Sequence, residues 1–343
     1  MTVLTKRGIE TTQDAKKISK LDDGKEEEQS ESKTSQPSKT LQPYPYGNGP
    51  SCFHGYEIRL EDFIDLEKYP IHDLKSPLRK ELVRQCRVEL QKSAVCLLPS
   101  FITPNAVKEM AAEATRCMAK RTKQSGSFIT AYLSPANDEF AEDHPRNILQ
   151  HRTQSFIDSC LLEEQSFYRK FYDSDVVLHF ISECIEERIY RWPCPIARSV
   201  YSVMEDGNYL PWHFDRNPFT VSLLVQDAVE GGEFEYCPNL RHHESGVENY
   251  NDVKDVLQGT DRSKVQILPL KCGDIQIFRG ENTLHRVTPC KGDIPRLIAL
   301  PSYVKDPYYV GMPKDVDLFY GKHFPIHEER KHIVKLGPDE YTI

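Results

Sequence analysis

Apolar residues fall into two textures along the chain. Between residues 73 and 190 they recur at three- and four-residue spacings, which predicts helices over 73–90, 103–120 and 167–190. The second opens with Thr103 as an N-cap and Pro104 in the first turn, a pairing that suits a helix start. Between them the run Phe128-Ile129-Thr130-Ala131-Tyr132-Leu133 has the length of a strand. From Ala197 onward the apolar residues come in brief β-rich runs instead, over 200–203, 219–225, 232–236, 265–269, 274–278 and 296–304. Turn residues separate them: Asp206-Gly207-Asn208, Gly231-Gly232, Cys272-Gly273-Asp274 and Lys291-Gly292-Asp293. Many short strands at this spacing predict a closed or double-sheet β architecture behind a helical flank. Residues 238–263 are polar and irregular, and read as an insertion between strands.

Composition adds boundaries. Residues 1–45 are Lys, Glu, Ser, Thr and Gln with almost no large apolar side chain, so nothing there offsets the entropy of ordering, and the segment reads as a disordered tail. The remainder divides into a helical flank over 46–195, a β core over 196–305 and a C-terminal extension over 306–343. Acids exceed bases, 52 Asp and Glu against 44 Lys and Arg, for a formal charge of −8. That removes the attraction on which nucleic-acid binders depend and favours a small-molecule partner. No stretch reaches the roughly 18 to 20 apolar residues of a membrane helix, and the first residues lack the apolar core of a signal peptide, so a cytoplasmic, non-membrane protein is expected. Ten cysteines without a CxxC pair suit scattered reduced thiols. Oligomeric state is not legible.

His213-Phe214-Asp215 places an imidazole and a carboxylate at i and i+2, which on an extended segment leave the same face. A Gly-Asp turn, a strand and then His285 follow, 72 residues after His213. Two histidines and one carboxylate can occupy one face of an octahedron and leave three adjacent sites open, as non-haem Fe(II) requires. Eleven residues beyond His285, Arg296 opens the apolar run Leu297-Ile298-Ala299-Leu300, and its guanidinium can grip a carboxylate bidentately.

The set His213-x-Asp215, His285 and Arg296 resembles the iron(II)/2-oxoglutarate-dependent dioxygenases over roughly residues 195–305. The resemblance implies a double-stranded β-helix of the jelly-roll, cupin-like type. It also implies His213, Asp215 and His285 as iron ligands and catalytic residues, Arg296 on the distal carboxylate of 2-oxoglutarate, and O2 as the oxidant. In related halogenases Gly or Ala replaces the carboxylate ligand to admit halide; Asp215 therefore speaks against halogenation. The stretch 212–224 with Gly231-Gly232-Glu233-Phe234-Glu235-Tyr236 looks like the branch acting on free amino acids and derivatives, including amino-acid halogenases, hydroxylases and the kainoid synthases of secondary metabolism. In that branch the residue after the metal motif can face the substrate. Here it is Arg216, and Arg198 is expected on a neighbouring strand; two guanidiniums would suit a carboxylate-rich substrate, with Glu233 or Glu235 as a partner of Arg216. The reaction expected is hydroxylation or radical ring closure. A protein-modifying hydroxylase and a non-catalytic jelly-roll binding module are the alternatives.

Overall fold

The structure, a computed structural model, describes residues 58–123, 128–242 and 245–332; the expected tail over 1–45 lies outside them. Eleven strands build two antiparallel sheets: β1 (Val95–Leu98), β2 (Thr122–Lys123), β3 (Ser155–Ile157), β4 (Ser199–Met204), β5 (Leu210–His213), β6 (Thr220–Gln226), β7 (Phe234–Cys237), β8 (Gln266–Leu268), β9 (Ile275–Phe278), β10 (Leu284–Val287) and β11 (Arg296–Pro301). The major sheet runs β1-β9-β6-β11-β4-β3-β2 and the minor sheet β8-β7-β10-β5. This is the expected mainly β architecture, a jelly roll with helices outside it.

The major sheet is buried on both faces, and the two-residue period assigns each side chain to one of them. Tyr201, Val203, Val221, Leu223, Ile275, Ile277, Leu297 and Ala299 belong to the core that the helices close. Their alternates Val200, Ser202, Met204, Ser222, Gln276, Phe278, Arg296 and Ile298 face the other way and line a cavity between the sheets. The outer layer is α1 (Pro77–Ser93), α2 (Pro104–Cys117), α3 (Phe167–Asp173) and α4 (Asp175–Ile185). Ser76 and Thr103 cap the first two, each followed by a proline. The single helix expected over 167–190 is two, because the Ser174 hydroxyl accepts from the Val177 N–H and starts a new helix there.

Three strands of the major sheet come from before residue 195, so the chain boundary expected there falls inside one sheet. The strand expected over 128–133 is only Phe128–Ile129, ending in a tight turn in which Leu133 takes φ of 53°. The polar stretch 238–263 is not wholly irregular: it holds α5 (Tyr250–Gln258), which buries Val253 and Val256 and stops at Gly259. Beyond the sheets, α6 (Pro313–Tyr320) and α7 (Pro325–Glu329) give the C-terminal extension regular structure.

Candidate metal centre

His213 ends β5, and its neighbour across the antiparallel register is His285 on β10. Pairing at this position brings the two ring centres to 4.1 Å. Asp215, two residues on, reaches back between them: its Oδ1 lies 3.3 Å from His213 Nε2 and 3.6 Å from His285 Nε2. One ligand atom from each residue falls within 4.8 Å of the other two, and this is the only such group among the described residues. Phe214, between the ligands, turns the other way into the cluster with Trp212, Tyr132 and Leu284. The two-residue alternation thus anchors the segment on one side while presenting ligands on the other.

Each imidazole is fixed by the backbone. His213 Nδ1 donates to the carbonyl of Pro211 at 2.9 Å and His285 Nδ1 to that of Thr283 at 2.8 Å, in both cases the carbonyl two residues earlier. That leaves both Nε2 lone pairs for an ion. Burial, reinforced by His213, lowers the His285 pKa to about 4, so its ring is neutral. Burial alone would raise the Asp215 carboxyl, but His285, His213 and the Thr220 hydroxyl outweigh it and hold it below the ordinary carboxylate range. Thr220 Oγ1 donates to Asp215 Oδ2 at 2.5 Å, and the Asp215 N–H donates to Gly280 O at 3.0 Å. Gly280 has no freedom to be larger: a Cβ there would lie 2.3 Å from Asp215 Oδ2. Two imidazoles with free Nε2 atoms and one carboxylate on one side of a cavity are the donor set that suits Fe(II) with open positions.

That cavity, of about 390 Å³, lies between the sheets and holds the triad, Arg216 and Arg296 in its wall. Arg296 opens β11, is buried, and has no hydrogen-bond partner for its Nε. Burial lowers its pKa, since no carboxylate compensates the charge closely. Gly232 permits its position, because a Cβ there would stand 2.7 Å from Arg296 Cδ. A buried guanidinium with an orphaned donor on a cavity wall fits the carboxylate of a bound oxo acid. The other guanidinium of the β core on a nearby strand, Arg286, is held by Glu235 at 2.6 Å.

Arg216 reaches the cavity but is engaged within the chain: it donates to the Leu133 carbonyl at 2.6 Å and pairs with Asp315 on α6 at 3.2 Å. Glu235 is not its partner, being bound by Arg262 and Arg286. Arg198 is half-buried and does not line the cavity. Sequence reasoning passed over Arg152, Gln154 and the α6 residues Asp315, Val316, Phe319 and Tyr320, all in the cavity wall. The alternation Arg152, Gln154, Phe156 was the available signal, and α6 had none, because its lining role depends on how the chain returns to the sheets.

Residues 78–307 match the family described as HalD, Halogenase D. Among solved structures, the 2-oxoglutarate-dependent carbocyclase SnoK from nogalamycin biosynthesis is 17% identical over 68% of this chain and 85% of its own, with a TM-score of 0.44. AviO1 from Streptomyces viridochromogenes is 14% identical over 65% and 95%, with a TM-score of 0.44. A Pseudomonas putida prolyl-4-hydroxylase is 12% identical over 64% and 97%, with a TM-score of 0.38. No curated protein matches in sequence.

Proposed function

The chain belongs to the halogenase D family, and we propose that within it this protein oxidises, rather than halogenates, a C–H bond of an amino-acid-derived small molecule bearing carboxylate. It is an Fe(II)/2-oxoglutarate-dependent oxidoreductase whose ion is held by His213, Asp215 and His285. Iron bound there with 2-oxoglutarate supplies O2-driven decarboxylation of the oxo acid to succinate and CO2, coupled to attack on a substrate C–H bond. The chain's own residues set the conditions. The Pro211 and Thr283 carbonyls orient the imidazoles, Thr220 and Gly280 hold the Asp215 carboxylate ionised and in place, and Arg296 takes the distal carboxylate of the oxo acid. Phe156, Phe219, Phe234 and Phe278 line the same cavity and exclude water from it.

The observation that carries this reading is Asp215 itself. A carboxylate locked against both histidines fills the position that a halide would need. Hydroxylation and radical ring closure both remain open to such a site. The test is aerobic incubation with Fe(II), 2-oxoglutarate, chloride and a panel of amino acids and N-alkylated glutamates, read by mass spectrometry. Products gaining one oxygen or losing two hydrogens are expected, with succinate formed alongside. A chlorinated product, or no succinate with any member of the panel, would overturn the reading.

A further inference from the structure

Five arginines are buried among the described residues: Arg79, Arg152, Arg241, Arg296 and Arg330. Three of them reach acceptors within the chain. Arg79 binds Glu183 and the Ile71 carbonyl, Arg241 binds the Glu281 carbonyl, and Arg330 reaches that of Tyr308. Arg152 and Arg296 each keep a buried Nε without an acceptor, pair with no carboxylate among the described residues, and line the cavity. Burying a guanidinium without an anion is costly, so two of them on one wall imply two anions that arrive from outside. The distal carboxylate of the oxo acid accounts for Arg296. It leaves Arg152 without an occupant.

Arg152 is 5% exposed and precedes β3. Its guanidinium lies 4.8 Å from the ring centre of Phe319 on α6, a stacking contact that orients it without neutralising it. Gln154, two residues on and on the same side, has its Oε1 buried with no donor. The titratable groups that act on Arg152 are Tyr320, Arg216 and Asp215, whereas those on Arg296 are Cys290, Asp227 and Cys272. The two cations stand at different places along the cavity: Arg152 stacks on Phe319 of α6, whereas Arg296 opens β11 beside Gly232. Arg216, the neighbouring cation, already has Asp315. We propose that Arg152, and not Arg216, binds a carboxylate of the small-molecule substrate and so selects acidic substrates, an inference that rests on the proposed function of this cavity.

The test uses the full chain loaded with Ni(II), which is inert toward the oxidation, and saturated with 2-oxoglutarate so that Arg296 is occupied. L-Glutamate, N-butyl-L-glutamate and the diamide of the latter are then titrated by calorimetry and thermal shift. The two acids should stabilise the protein and the diamide should not. Arg152→Gln should weaken binding of the acids about tenfold or more while 2-oxoglutarate affinity stays within about twofold, and Arg296→Gln should do the reverse. Without ligands, Arg152→Gln should melt no lower than the native protein, because it discards an uncompensated buried charge. Unchanged acid binding in Arg152→Gln, an equal loss of 2-oxoglutarate binding, or a native protein indifferent to both acids would each overturn the proposal. Should Ni(II) and 2-oxoglutarate themselves fail to bind, the iron reading falls, and the same acid titration on the metal-free protein still decides the role of Arg152.

Discussion

Replacing Asp215 by Asn keeps the shape of the side chain and removes the charge that two histidines and Thr220 converge on. Iron content and succinate formation should both fall by orders of magnitude in Asp215→Asn, with circular dichroism unchanged. Near-native turnover would remove Asp215 from the ligand set and the oxygenase reading with it. Arg296→Gln attacks a different function: iron should still bind, while the KM for 2-oxoglutarate rises at least about tenfold, because a buried charge-assisted pair is worth about 2 kcal/mol or more. Steady-state kinetics at fixed iron checks this, and an unchanged KM moves the oxo-acid contact to another residue. At this scale the sequence was informative where chemistry and periodicity coincide. His213-x-Asp215 sits on an extended segment, and His285 and Arg296 each open or occupy a strand. Arg152 is carried by no motif, only by its alternation with Gln154 and Phe156, and the pairing of Arg216 with Asp315 was not legible because the two lie 99 residues apart.

Elements were legible in proportion to their caps and apolar period. The starts of α1 and α2 follow from Ser76-Pro77 and Thr103-Pro104, and strands of the β core from alternation between Gly-containing turns. Helices α5 and α6 were missed because each buries only a narrow stripe, Val253 with Val256 and Val316 alone. One contact between elements admits a direct measurement. Arg79 on α1 is almost fully buried and grips Glu183 on α4 through two hydrogen bonds of 2.9 Å while donating to the Ile71 carbonyl at 2.8 Å. Arg79→Ala should cost about 1–3 kcal/mol, discounted because Glu183 is partly exposed, and urea unfolding should show it as a lower midpoint with an unchanged slope. A midpoint equal to the native one would make the pair a surface ornament of the helix layer. At the other end of the chain, α6 joins the cavity through Asp315 and Arg216, a partly exposed pair that orients the helix more than it stabilises it.

Across the whole molecule, every residue assigned to the site lies between Leu133 and Tyr320, and the resemblance visible in sequence covered only the β core. A chain starting near Tyr46 should therefore retain its turnover and its KM for 2-oxoglutarate, because the sequence of residues 1–45 holds few large apolar side chains and none of the assigned site residues. Lost activity in a folded truncated protein would assign that segment a part in substrate access. What the sequence concealed at this scale is that three strands of the flank join the sheet of the β core. Strands β1, β2 and β3 are too short to stand out as an alternating run, and only long-range pairing, Val95 with Phe278 and Phe156 with Ser202, reveals them.

Gly280 makes the order of substitution at this centre matter. With Asp215 in place, a methyl group at 280 collides with the carboxylate and with its Cβ and Cγ, so Gly280→Ala alone should lose iron much as Asp215→Asn does. Once Asp215 has become Gly those atoms are gone, and Gly280→Ala should then add no further loss of thermal stability. Loss of the Asp215 side chain therefore relieves the contact that constrains position 280, whereas a side chain at 280 with Asp215 in place meets it. Metal content and melting temperature of the two single variants and the double variant would read that epistasis, and full iron occupancy in Gly280→Ala would show that both orders are open.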